Sequence, residues 1–338
     1  YIKGIIGLPA NLFYGTSIPA CIVVLDKEGA ASRKGIFMID ASKGFLKDGN
    51  KNRLRAQDIH KIVDIFTRQA EVAGYSRMVP LSEIADSKNE FNLNLPRYID
   101  AGEPEDIQDI DAHLRGGIPN RDLDALDRYW DSFPGVRSAL FKKGDRAGYS
   151  QLRVEIGAVK ATIFEHGEFK TWSAAVHTLF AQWKRKVTAR LKSVDKGDKP
   201  KQIIEVLSED LLAAFDRVPL IDPYDLYQHL MDYWAATMQD DLYLLVSEGW
   251  RDAAKPRIVA DDTKGKDKPD LVVGKQKLKM ELIAPVVVAT RFFGPEQAAI
   301  EKLEAQAAAV AQEVDELVAE NTGEEGLLED AKNEKDKV

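Results

Sequence analysis

Two short apolar runs open the chain, residues 5–8 and 20–25, with a polar loop between them. Runs this short, rich in Ile and Val and bounded by Gly and Pro, predict strands buried on both faces. A sheet covered on both sides predicts helices on each side, hence an α/β class. The loop at 9–19 is too long for a two-residue hairpin turn. It carries Phe13 and Tyr14 beside Gly15 and Thr16, and loops held by a rigid scaffold often carry function. Residues 35–40 (GIFMID) predict a third strand, and 43–55 a loop rich in Gly, Asn and basic residues that turns at Gly49 and Asn50. A helix is predicted over 56–73, with Ile59, Ile62, Val63 and Phe66 at helical spacing and Gly74 as its C-cap. Shorter elements are expected at 78–85 and 91–99, and a domain boundary near Asp100.

Beyond that boundary the pattern turns helical. Short helices are predicted at 107–114 and 123–133, parted by the GGIP breaker at 116–119. A turn is expected at 144–148, helices at 154–164 and 169–191, a linker at 195–200 and a helix at 203–215. Pro223 suits the first turn of the next helix, which reaches about 246; its stripe of Leu230, Trp234, Met238 and Leu245 reads as core. Weak alternation over 271–282 suggests a hairpin turning at Gly274. The last long helix starts near Pro295. Ile300, Ala307 and Val314 take heptad position a, and Leu303, Val310 and Leu317 position d. Ala311 and Val318 widen that stripe, which suits a bundle of several helices. Three heptads alone make a marginal helix in water, so it needs something to pack on. The composition of 323–338 predicts disorder.

Composition narrows this picture. The net charge is −8, which argues against a protein that simply coats nucleic acid. The sign is segregated, however. Residues 184–201 carry eight basic side chains against two acidic, and 313–338 carry ten acidic against three lysines. The basic stretch interleaves Trp183, Val187 and Leu191 with its charges and reads as an amphipathic helix with a wet basic face. The single cysteine, Cys21, lies in a predicted strand and is expected to be a buried thiol. No apolar run approaches the roughly 20 residues that span a membrane, and the cytoplasm is the expected location. The five histidines are scattered without a ligand spacing, so no metal site is expected. No Walker-type loop or nucleophile elbow occurs.

The word at 5–27, IIGLPANLFYGTSIPACIVVLDK, resembles the end of the catalytic domain of adenine-N6 DNA methyltransferases. It resembles more closely the modification subunit of type I restriction–modification systems. GIFMIDASKGF, DGNKNRLRAQDIHKIV, FNLNLPRYID, DIDAHLRGGIP, GDKPKQIIEVLSEDLLAAF and YDLYQHLMDYWAATMQDDLYLL extend the likeness over nearly the whole chain. The resemblance implies that 1–100 end a Rossmann-like methyltransferase sheet. It further implies a mostly helical domain at 101–294, a partner-binding helix at 295–322 and an acidic tail at 323–338. The intact subunit would methylate adenine N6 in DNA with S-adenosylmethionine, working with a specificity subunit and a restriction subunit.

Such an enzyme must swing its target base out of the duplex and hold it, usually against an aromatic ring. The resemblance gives that role to Phe13, with Tyr14 as a wall or hydrogen-bond donor. From residue type alone, a hydrophobic plug under the sheet edge explains the pair more simply. Lys47, Lys51, Arg53 and Arg55 read equally as phosphate contacts, aided by the N-terminus of the following helix, or as a solvated loop. The resemblance implies that Ile300, Leu303, Val310, Val314 and Leu317 pack on the helical spacers of the specificity subunit; packing on their own domain is the alternative. The family's Gly-rich cofactor turn and its (Asn/Asp)-Pro-Pro-(Tyr/Phe) loop are both missing from these residues. The chain alone is therefore expected to be inactive and to be the C-terminal part of a longer protein, cut inside the catalytic domain or matched to a separate N-terminal piece. Two other readings stay open: a non-catalytic interaction module, and a fragment of a fused restriction–methylation enzyme.

Overall fold

The computed structural model describes residues 1–102, 107–259 and 269–321. Strand β1 (Ile2–Gly7) pairs antiparallel with β2 (Cys21–Leu25) and parallel with β3 (Gly35–Asp40). A small hairpin follows, β4 (Leu46–Asp48) and β5 (Lys51–Arg53), and then helix α1 (Ala56–Arg68). Strand β6 (Ser76–Pro80) returns antiparallel to β3, and the short α2 (Leu81–Ile84) leaves it. The sheet order is β2-β1-β3-β6. The period of two sends Ile36 and Met38 to one face and Phe37 and Ile39 to the other. Ile5, Val79, Ile84, Tyr98 and Ile99 close the first face, while Ile6, Ile62 and Ile65 close the second. A Cβ on Gly4 would stand 2.4 Å from Phe66 Cε2, so α1 rests on β1 because that position has no side chain.

Strands β1 and β3 stand where the apolar runs put them, in a mixed α/β architecture. Strand β2 corrects the expectation of burial on both faces. It is an edge strand, with Ile22 and Val23 each 48% and Leu25 69% exposed. Cys21 is exposed for the same reason, not buried as expected. A continuous apolar run does not distinguish a central strand from an edge. Helix α1 also ends before the predicted residue 73. Gln69 takes the left-handed cap at φ 50, and Gly74, at φ 69, serves the turn into β6 instead. Ile59 and Val63 lie on the solvent side of α1, whereas Ile62 and Ile65 are buried.

Past residue 107 the chain is less uniformly helical than expected. Helix α3 (Ile110–Arg115) leads to β7 (Ile118–Pro119), α4 (Asn120–Asp124), α5 (Asp127–Ser132) and α6 (Pro134–Leu140). Strands β8 (Phe141–Lys143) and β9 (Tyr149–Leu152) flank the expected turn and form a sheet of order β7-β9-β8. These strands are too short for a period of two to register in the sequence. Helices α7 (Val159–Glu165), α8 (Gly167–Lys192), α9 (Pro200–Phe215) and α10 (Pro223–Tyr233) follow. Ile203, Leu207, Leu211 and Phe215 give α9 its buried stripe. Helix α8 buries Val187 and leaves Lys184, Arg185 and Lys186 exposed, the wet basic face expected. A π-helical turn, Trp234–Met238, follows α10.

Residues 1–194 and 199–239 form one compact unit, so the boundary expected near Asp100 lies inside it. Within that unit α10 lies along α1 through a polar seam. Gln57 donates its side-chain N–H to Asp225 at 2.8 Å and its backbone N–H to Gln228 at 3.0 Å. His60 stacks on Tyr227 with centroids 4.4 Å apart and reaches Glu209 at 3.1 Å. The Tyr224 hydroxyl donates to the Asp64 carboxylate, which Arg68 also pairs.

Burial, then the bond to Asp64, pushes the Tyr224 phenol above the ordinary tyrosine range; burial, then the charges of Asp58 and Asp40, does the same for Tyr75. A phenol whose folded pKa is raised stabilises the fold fully below its unfolded value of about 10 and loses that contribution as pH rises through the folded value. Urea midpoints should therefore fall as pH passes about 10, and fall less steeply in Tyr75→Phe with Tyr224→Phe. Parallel curves for the two proteins would rule out both phenols as the source of the loss.

The second unit takes residues 195–198 and the chain from Asp240 onward. It takes α11 (Gln239–Glu248) from Asp240 on, and contains α12 (Trp250–Ala253), β10 (Arg257–Ile258), β11 (Leu271–Val273) and β12 (Gln276–Lys279). The hairpin turns at Gly274, φ 63, as expected. Arg257 ties this sheet together, reaching Glu248 at 2.6 Å and Glu281 at 3.1 Å. Helices α13 (Pro285–Phe292) and α14 (Gly294–Asn321) end the described chain. The acidic tail expected at 323–338 lies outside the described residues. No described helix is long and apolar enough to cross a membrane.

Candidate functional site

The loop between β1 and β2 is closed at its base, where the Leu8 N–H donates to the Ala20 carbonyl at 2.8 Å. Leu12 turns inward and joins the face packed on α1. The two aromatic residues do not follow it. Phe13 is 55% and Tyr14 93% exposed, so neither ring is a plug under the sheet edge. Asn11 and Gly15, at φ 58 and 79, carry the chain around this projection.

The β4–β5 hairpin stands beside the loop. The Lys51 ammonium donates to the Phe13 carbonyl at 2.6 Å and lies 4.2 Å from the centroid of the Tyr14 ring. The Asn52 backbone N–H donates to the Asn11 carbonyl at 3.0 Å, and its side chain to the Ala10 carbonyl at 2.8 Å. Thus the structure brings Phe13, Tyr14 and Lys51 together. Lys47 and Arg53 stand on the same hairpin, and Arg53 makes an exposed 3.4 Å ion pair with Asp48. Arg55 is differently occupied. Its Nε and Nη2 donate to Asp58 at 2.9 and 2.8 Å, and those bonds hold its guanidinium above the ordinary arginine range. Asp58 also accepts the Arg55 backbone N–H at 2.8 Å, so the pair caps α1. Asn52 was missed in the sequence, although an Asn next to a basic residue near a Gly-Asn turn is a natural cross-loop donor.

A pocket of about 320 Å³ opens beyond β3, lined by Asp40, Lys43, Arg55, Asp58, Lys61 and Tyr75 among others. Its charges largely satisfy one another: Arg55 pairs with Asp58, and Lys61 with Asp222 at 3.5 Å. Among the described residues no group of three His, Cys, Asp or Glu side chains could hold a metal ion.

The residues named on α14 are differently placed. Ile300, Leu303, Val310 and Leu317 are 56%, 64%, 59% and 58% exposed. Val314 is half-buried, and no described residue of the helix is buried.

Residues 1–107 match the family model of the N-6 DNA methylases. The relatives that the chain resembles are methylase subunits of type I restriction enzymes. The MjaVII methylase subunit of Methanocaldococcus jannaschii is 40% identical over 144 residues, 41% of this chain and 25% of that protein. The MpnII subunit of Mycoplasma pneumoniae is 34% identical over 110 residues, 32% and 20% of the two. The chain thus spans about a quarter or less of these relatives' length. A solved structure, the type I restriction-modification system methyltransferase subunit of Streptococcus thermophilus, is 36% identical and covers 29% of this chain and 20% of that one. Its TM-score is 0.27, too low for the likeness to speak to the fold.

Proposed function

We propose that the chain carries the target-base wall and the partner-docking helix of a type I adenine-N6 DNA methylase, an enzyme that uses S-adenosylmethionine bound outside these residues. The observation that carries the reading is a pair of solvent-facing aromatic rings on a tethered loop directly after β1. A flipped base needs a π-surface that is exposed in the free protein and fixed in place. Phe13 supplies the stacking face and Tyr14 a second wall or hydroxyl donor. Lys47 and Arg53, exposed on the adjacent hairpin, contact DNA phosphates, which position the duplex without reading sequence. The open edge of β2, apolar on both faces, suits a Rossmann-like sheet that continues past it. Ile300, Leu303, Val310, Val314 and Leu317 face a specificity subunit, and a restriction subunit completes the complex.

In this reading the chain alone binds no cofactor and transfers no methyl group, because neither signature motif is present. Calorimetric titration with S-adenosylmethionine should give no heat of binding. Mixing the chain with the N-terminal part of a related type I methylase should restore it. Micromolar saturable binding by the chain alone would overturn the assignment of the cofactor site elsewhere.

A further inference from the structure

Two residues of the β1–β2 loop, Asn11 and Gly15, stand in left-handed backbone, and the side chains between them beyond Leu12 point to solvent. Nothing in the loop's own packing fixes Phe13 and Tyr14. What holds them comes from the neighbouring hairpin. Gly49, at φ 60, sets its turn and pairs Asp48 with Lys51 across the ladder. Lys51 and Asn52, successive residues of β5, both reach the loop.

We infer that the β4–β5 hairpin is a latch on the aromatic loop, and that Lys51 and Asn52 are positioning residues that set where Phe13 and Tyr14 stand. Taken as an account of base capture, this rests on the proposed role of the loop. The contacts are arranged so that one hairpin holds four loop residues, two on either side of Leu12. Asn52 holds the carbonyls of Ala10 and Asn11, and Lys51 holds the carbonyl of Phe13 and the face of Tyr14. The two Lys51 contacts are coupled. An ammonium that both donates to a carbonyl and sits over the next ring fixes the backbone and the ring plane together. The latch differs from the phosphate contact that a basic hairpin suggests, because its effect on DNA passes through the aromatic loop.

The first arm of the test uses the chain itself. Chymotrypsin cleaves after Phe13 and Tyr14, and cleavage of a transiently opened segment follows its open population. Lys51→Met, with an unchanged circular dichroism spectrum, should raise the cleavage rate there about 5- to 30-fold. Asn52→Ala should raise it less, and Lys51→Arg should restore most of the protection. Wild-type cleavage in Lys51→Met would overturn the latch.

The second arm uses a methylase rebuilt around the chain, with 2-aminopurine at the target base as a reporter of extrusion. Lys51→Met should weaken base capture, add little on top of Phe13→Ala, and leave the salt dependence of DNA binding unchanged. Additive losses with a salt slope shallower by about one would make Lys51 a phosphate contact and overturn the positioning role. A loop loosened by Lys51→Met, with base capture unaffected by either substitution, keeps the latch and removes the target-base reading.

Discussion

Phe13→Ala is expected to weaken capture of the extruded adenine, and to slow methylation, about tenfold to a hundredfold in a reconstituted enzyme, since base–aromatic stacking is worth roughly 1–3 kcal/mol. The ring is more than half exposed, so its removal opens no core cavity and the fold should be untouched. Stability measured by urea unfolding should therefore match the parent within about 0.5 kcal/mol, separating a binding loss from a folding one. Phe13→Trp should retain much of the activity, because it keeps a π-face of at least equal area. A Phe13→Ala enzyme that methylates like the parent would make the exposed ring an idle surface, and the target-base wall would have to be sought elsewhere.

The other large effect concerns assembly. Leu303→Asp with Val310→Asp should abolish co-purification with the specificity subunit while leaving the circular dichroism spectrum of the chain unchanged. Both side chains are about 60% exposed in the chain, so two carboxylates there meet water and cost the fold little. In a helical bundle with a partner, the same d positions would be enclosed. An unpaired carboxylate would then lose its hydration without compensation, a cost of several kcal/mol for each. Normal co-purification of the well-folded double variant would return the stripe to some other purpose. Loss of helix in the free chain would show that α14 depends on contacts of its own unit.

The elements legible in the sequence were those whose burial is one-sided or complete. The run at 35–40 predicted β3 to the residue, because its first five positions are buried and Ile36, Phe37, Met38 and Ile39 leave no polar interruption before Asp40. The stripe of α9 was equally plain. What failed were features decided by neighbours. The apolar run at 20–25 carries the same local signal as β3, yet it has a partner on one side only, and Cys21 went to solvent with it. Ile59 and Ile62 both fit a helical period, and only the placement of α1 over β1 and β3 decides which is buried. For the candidate site, the aromatic pair could be picked out by residue type and position, but not its exposure. Of the four basic residues named, composition could not tell that Arg55 would be taken by Asp58 or Lys51 by the loop. The Arg55 pairing is a local i,i+3 contact, but that of Lys51 depends on a hydrogen bond to Phe13 that is distant in sequence.

The open side of β2 has a consequence for how this polypeptide can live. A strand that offers unpaired backbone donors and acceptors, with Ile22, Val23 and Leu25 bare on its two faces, is a template for any other extended segment. Natural sheets guard such rims with inward-pointing charges or prolines, and β2, CIVVL, has neither. Left open, the segment would recruit its own kind, and the exposed thiol of Cys21 at the head of the strand could make such a pairing covalent under oxidising conditions. Covering that rim is then a matter of proteostasis: it decides whether the chain stays a manageable folding unit or becomes a seed for aggregates.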